Sequence, residues 1–181
     1  KLIDGLNSSS KLEGNTARLT LELRNFAADE IQDVGFSDTF PAAGPFQQLR
    51  VATPANLSNS CGGSVTATAG STSIALTGGS VPAISGSTPG SCVLGVDVVG
   101  PAGSYPNTAE AVGDRQNADG SETPIQGSAS ALSDDATINF DPALQSDKSF
   151  SPSSVSSGGV SRLEVRFTNV DPSRPITGIS V

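Results

Sequence analysis

The sequence predicts an all-β fold, a two-layer β-sandwich, from three observations. Helical periodicity is nearly absent, and apolar residues instead alternate with polar ones in short runs. Gly (20 residues) and Pro (12 residues) punctuate those runs, as turns between short strands require. One alternating run also recurs late in the chain, with nearly the same spacing to the strand that follows it. A chain of 181 residues has room for one domain, or for one domain and part of another.

The first strand is read from Ala17 to Asn25, A-R-L-T-L-E-L-R-N. Leu19, Leu21 and Leu23 share one face and Arg18, Thr20, Glu22 and Arg24 the other, the pattern of a half-buried strand. Ile31 to Phe36 follows, with Val34 and Phe36 on one face, and Phe46 to Val51 is a third, with Leu49 and Val51 together. Val65 to Thr68 and Ser73 to Thr77 flank a turn at Ala69-Gly70-Ser71. Gly78-Gly79 reads as a further turn before a short apolar piece, Val81 to Ile84. Ser91 to Val99 puts Cys92, Leu94, Val96 and Val98 on one face. Ser104 to Val112 is the next expected strand, opened by Pro101-Ala102-Gly103. Residues 113 to 127 are polar and read as a long loop, and Ser128 to Phe140 as a final strand region, interrupted at Ser133-Asp134-Asp135. The Phe side chains are assigned to the core or the junction, with Phe26 at a strand end where it can be exposed. Strands of this kind supply the two inner layers of a sandwich core.

The recurring run is S-R-L-E-V-R-F-T-N, residues 161 to 169. Arg162, Leu163, Val165, Phe167 and Asn169 stand 144 positions after Arg18, Leu19, Leu21, Leu23 and Asn25. Ile176, Ile179 and Val181 stand 145 positions after Ile31, Val34 and Phe36. We therefore read residues 1–146 as one complete repeat and 147–181 as the opening strands of a second. Residues 141 to 153 form the junction, stiffened by Pro142 and Pro152. A segment as short as the second cannot bury a core alone. Phe150, Leu163, Val165, Phe167, Ile176, Ile179 and Val181 are its candidate residues for a repeat interface or for strand exchange. The segment is completed either by further chain or by a neighbouring subunit, and the second route builds a filament.

The string from Lys148 to Asn169, K-S-F-S-P-S-S-V-S-S-G-G-V-S-R-L-E-V-R-F-T-N, resembles the opening of a bacterial cell-surface repeat domain. Such repeats open with a Lys, a Phe-Ser-Pro, a Gly and an alternating strand ending in Asn. Gly35 to Pro41 (G-F-S-D-T-F-P) and Tyr105-Pro106-Asn107-Thr108 resemble later signatures of the same repeat, as do Cys61-Gly62-Gly63, Ser73 to Gly79 and Ser91 to Val98. The resemblance covers nearly the whole chain, but Lys1 to Glu13 lacks the Phe-Ser-Pro string. It implies an immunoglobulin-like β-sandwich from long secreted or adhesin-like proteins, and it carries no catalytic residues.

Charge and composition narrow the chemistry. The net charge of -8 disfavours nucleic acid, whose phosphates need a basic patch. No apolar run approaches the roughly 18 residues of a membrane span, so direct membrane insertion is not expected. The absence of His removes a histidine-dependent triad, and no spacing of acids or lysines supports another, so no enzyme is expected. Cys61 and Cys92, 31 positions apart, are expected to pair in an oxidising compartment. Two independent buried thiols are the competing reading. The chain opens at Lys1 rather than Met, as a processed product or a fragment would.

The one cofactor the sequence suggests is Ca2+, at Asp114, Asn117, Asp119 and Glu122, which crowd oxygen ligands around Gly120. A plain polar loop competes with that reading, and Asp38 is a weaker calcium candidate. Asn7-Ser8-Ser9 and Asn56-Leu57-Ser58 match the glycan acceptor pattern, which a Ser-rich chain also produces by chance. Tyr105, the single Tyr, is a candidate corner tyrosine or an ordinary edge residue. The expected function is a structural module of an extracellular or cell-surface stalk, adhesin or filament. Its partners would be neighbouring repeats or identical subunits. The alternative is an adhesive module that recognises a cell-surface protein or glycan through a loop face.

Overall fold

In the computed structural model, residues 1–109, 111–116, 121–127 and 135–180 are described. The strands run in chain order β1 (Leu2–Ile3), β2 (Ser8–Leu12), β3 (Ala17–Asn25), β4 (Ile31–Thr39), β5 (Ala42–Gly44) and β6 (Gln47–Gln48). They continue as β7 (Arg50–Val51), β8 (Ser58–Asn59), β9 (Ser64–Thr66), β10 (Ser73–Val81), β11 (Gly90–Val99) and β12 (Gly103–Asn107). The last are β13 (Ala111–Gln116), β14 (Glu122–Gly127), β15 (Ala136–Asp141), β16 (Leu144–Ser151) and β17 (Arg162–Asn169). The fold is all-β, and the chain divides into two compact units, Lys1–Asp141 and Pro142–Val181.

Three sheets surround the core of the first unit. One has the order β1-β3-β11-β7, with β8 also on β11; the second is β14-β13-β4-β10-β9; the third is β12-β15-β2. All pairings are antiparallel except that of β15 with β2. Alternation along β3 turns Leu19 and Leu21 inward against Leu94, Val96 and Val98 of β11. From the second sheet Val34, Phe36, Ile74 and Leu76 enter the same cluster, and from the third Tyr105, Ile138 and Phe140. Tyr105 is fully buried, meets Phe140 edge-on at 6.0 Å, and donates its hydroxyl to the Pro101 carbonyl at 3.0 Å. That hydroxyl-to-backbone bond and its full burial are what the corner-tyrosine reading requires.

Several elements depart from the sequence expectation. Residues 113 to 127 are not a long loop: β13 and β14 form a hairpin from Ala111↔Gly127 to Gln116↔Glu122, and β13 pairs with β4. Backbone pairing at a sheet edge needs no apolar alternation, and Pro124 is tolerated there because β14 is an outer strand. The expected strand from Ser104 to Val112 splits, because β12 joins the third sheet and β13 the second. Gly78-Gly79 is not a turn. It lies inside β10, where the register with β4 shifts twice and Gly78 takes φ +64, a bulge in a continuous strand.

Residues beyond Val81 form no strand before β11. Phe46 is 94% exposed at the tip between β5 and β6, outside the core assigned to it, and the stretch to Val51 breaks into β6 and β7. The opening residues hold a hairpin that the sequence pattern did not announce: Asp4 and Gly5 take φ +50 and +80, and Ile3 and Leu6 exchange backbone hydrogen bonds. Burial pushes the Asp4 carboxyl up. The Arg18 amide, the Ser9 hydroxyl and Lys11 outweigh it and hold the group below its usual range.

The second unit is one antiparallel pair, β16 with β17, from Leu144↔Asn169 to Ser151↔Arg162. Most of the stretch expected as a junction is therefore strand.

Candidate functional site

Among the described residues, charge buried inside the core of the first unit is found at one place. Along β4 the buried positions are Val34, Phe36 and Asp38, so parity alone turns a carboxylate inward behind two apolar side chains. On β12 the same parity turns Tyr105 and Asn107 inward. Lys1, just before β1, brings in a side chain from the first sheet. Its Nζ lies 2.8 Å from Asp38 Oδ2, with the two side chains 3% and 0% exposed. Asn107 Nδ2 donates to that same Oδ2 at 3.1 Å, and Asn107 is itself buried.

The three elements thus converge on one oxygen atom. Lys1 Nζ and Asn107 Nδ2 are both within hydrogen-bond reach of it, so they are close neighbours. Asp38 Oδ1 is buried with no hydrogen-bond partner. An unsatisfied buried oxygen costs about 1–3 kcal/mol, and burial of the ion pair adds a desolvation cost that the attraction barely repays. Burial pushes the Lys1 ammonium below its ordinary value, against the opposing pull of Asp38. The cluster is therefore costly as a structural device, and it sets an amine, a carboxylate and a carboxamide against one another.

The residues singled out from sequence fall elsewhere. Cys61 and Cys92 are joined, with sulfurs 2.08 Å apart, and tie the loop after β8 to β11. Asp114 lies on β13 and Glu122 opens β14, while Asn117 and Asp119 are outside the described residues. Among the described residues no group of three or more His, Cys, Asp or Glu is placed to hold a metal. Asp38, the weaker calcium candidate, accepts Lys1 Nζ and Asn107 Nδ2 at its Oδ2. Asn56 donates its side-chain amide to Asp97 at 2.7 Å, inside a network with Arg18 and Ser58.

Phe150, Leu163, Val165, Phe167 and Ile179 are exposed in the second unit, Ile176 is half-buried, and Val181 is outside the described residues. The Lys1–Asp38–Asn107 cluster itself was missed. Its only signal in the sequence was the parity of Asp38 with Val34 and Phe36.

A family model described as a domain of unknown function (DUF7933) matches residues 7–130. No curated protein matches the chain. Among solved structures, the major pilin subunit of Bacillus cereus, in the crystal structure of BcpA*(D312A), is similar at 9% identity and a TM-score of 0.43. The match covers 80% of this chain and 40% of that one, and so distant a likeness carries no function across.

Proposed function

The chain belongs to the DUF7933 family, and we propose that it is a structural repeat module of a secreted or cell-surface assembly. On this reading the first unit is an immunoglobulin-like sandwich and the second holds the opening strands of another copy. One observation supports it: the second unit is a strand pair whose apolar residues Leu163, Val165 and Phe167 are exposed, in a register like that of β1 on β3. Ile3 lies opposite Leu19 across β1 and β3, and Phe150 lies opposite Leu163 across β16 and β17. In the first unit β11 covers the other edge of β3, pairing Leu94 with Leu21. Among the described residues β17 pairs with β16 alone. Leu163, Val165 and Phe167 are exposed, where Leu19 and Leu21 are buried.

An open edge beside an apolar face takes a strand from outside, and strand addition satisfies both at once. The completing strands come from further chain or from a neighbouring subunit, and a head-to-tail contact between subunits extends rather than closes. The test is negative-stain microscopy and light scattering of the full chain across a concentration series. Concentration-dependent chains or fibres, lost on Val165→Lys, are the expected result. Dispersed monomers at high concentration would remove the polymerising reading.

A further inference from the structure

We propose that Lys1 and Asn107 become covalently joined, through an amide bond between Lys1 Nζ and Asn107 Cγ formed with the help of Asp38. The bond makes the cluster a self-modification site. It needs no cofactor and no second protein, and it does not depend on the repeat reading above.

The geometry supplies what the step requires. Nucleophile and acceptor are held against one carboxylate oxygen, Lys1 at 2.8 Å and Asn107 at 3.1 Å. Such positioning replaces a bimolecular encounter with a unimolecular step. The site excludes water, since the Lys1 and Asp38 side chains are 3% and 0% exposed. A lysine nucleophile must shed its proton, and burial favours its neutral form. Asp38 touches both nitrogens and can move a proton between them.

The balance closes without another reactant. Lys1 Nζ passes a proton to Asp38 and attacks Asn107 Cγ. The Nζ–Cγ bond forms, the Cγ–Nδ2 bond breaks, and Nδ2 leaves as ammonia. Of the two protons that Nζ gives up, one reaches Nδ2 through Asp38 and departs with it. The other stays on Asp38, which neutralises a carboxylate that has lost its cation. An ion pair with an orphaned oxygen, costly in this interior, is thereby replaced by a neutral acid and a neutral amide.

The bond would tie the start of the chain to the end of β12, across the first and third sheets. A pull on the N-terminal end would then bypass everything between residues 1 and 107. The second unit has a lysine in the same register: Lys148 stands two residues before Phe150, as Lys1 stands two before Ile3.

The test is the intact mass of the folded full chain, held at neutral pH until constant. The expected mass is lower than the disulfide-bonded sequence by about 17 Da, one ammonia, as the exchange of amine for amide requires. After reduction and trypsin, the peptide spanning residues 1–11 should remain joined to that spanning 51–115. Lys1→Met and Asp38→Asn should each restore the full mass. An asparagine that closes on its own backbone also loses ammonia, so a deficit that survives Lys1→Met would overturn the proposal. So would an unmodified mass in the folded wild-type chain, a readout that needs no variant to fold.

Discussion

Asn25 and Asn169 turn the chain with the same pair of hydrogen bonds. Each Oδ1 accepts the amide two residues on, from Ala27 and Asp171 respectively. Each Nδ2 donates to a carbonyl further along the corner, that of Asp29 or of Arg174, at 2.7 Å in both cases. The repeat spacing of 144 at the asparagines becomes 145 at the carbonyls, so the one-residue insertion lies within the corner itself. The environments differ. Asn25 is 1% exposed and also donates to Pro82 O at 3.0 Å, whereas Asn169 is exposed.

Asn25→Ala should therefore cost about 2–3 kcal/mol, because it leaves buried backbone groups without partners. Asn169→Ala should leave the melting of the first unit unchanged, since its contacts lie within the second. Thermal denaturation followed by circular dichroism distinguishes the two. Equal shifts would contradict the difference in burial.

Gly90 serves the same corner from the other side. It opens β11 directly opposite Asn25, and a Cβ there would lie 1.8 Å from the Pro82 carbonyl oxygen. That obstacle is backbone and cannot rotate away. Gly90→Ala should destabilise by about 3 kcal/mol through displacement of the 82–83 segment. Because that displacement also breaks the Asn25 contact, Gly90→Ala and Asn25→Ala should be less than additive in a double-mutant cycle. Simple additivity would show that the two do not share the corner.

The Cys61–Cys92 bond closes a loop with a sequence separation of 31, and both residues are 2% exposed. Closing a loop of that size removes chain entropy worth about 3–4 kcal/mol from the unfolded state. Reduction under denaturing conditions, followed by refolding in reductant, should lower the melting midpoint by roughly 10 °C for a domain of this size. An unchanged midpoint would show that the loop is held by its backbone bonds, such as Ser60 N–H to Val93 O at 2.9 Å.

What the sequence made legible follows the physics of burial. The strand Ala17–Asn25 could be read to the residue because its inner face is leucine and its outer face charged. The hairpin of β13 and β14 could not, because its strands are held by backbone pairing that leaves no hydrophobic pattern. Ser104 to Val112 read as one strand because parity does not report a change of sheet. The buried cluster was the hardest to see. Lys1, Asp38 and Asn107 are far apart in sequence, and each is a residue type ordinarily placed on the surface. Only their convergence gives them meaning, and convergence is a property of the three sheets.

Asp171 gives the second unit a pH dependence of defined sign. Its Oδ1 accepts the Ser173 hydroxyl at 2.6 Å and the Ser173 amide at 2.9 Å, and its Oδ2 accepts Arg174 Nε at 2.9 Å. Those bonds, the Ser173 hydroxyl foremost, lower the carboxyl from 3.8 to about 2. A depressed carboxyl contributes stability that is fully present above its unfolded value near 3.8 and is lost as pH falls through about 2. The corner should thus stay closed through mild acid and open only near pH 2. An NMR titration of the Ser173 amide should show a midpoint near 2, and Asp171→Asn should abolish the transition. A midpoint close to 4 would show that the carboxylate is not engaged by Ser173 in solution.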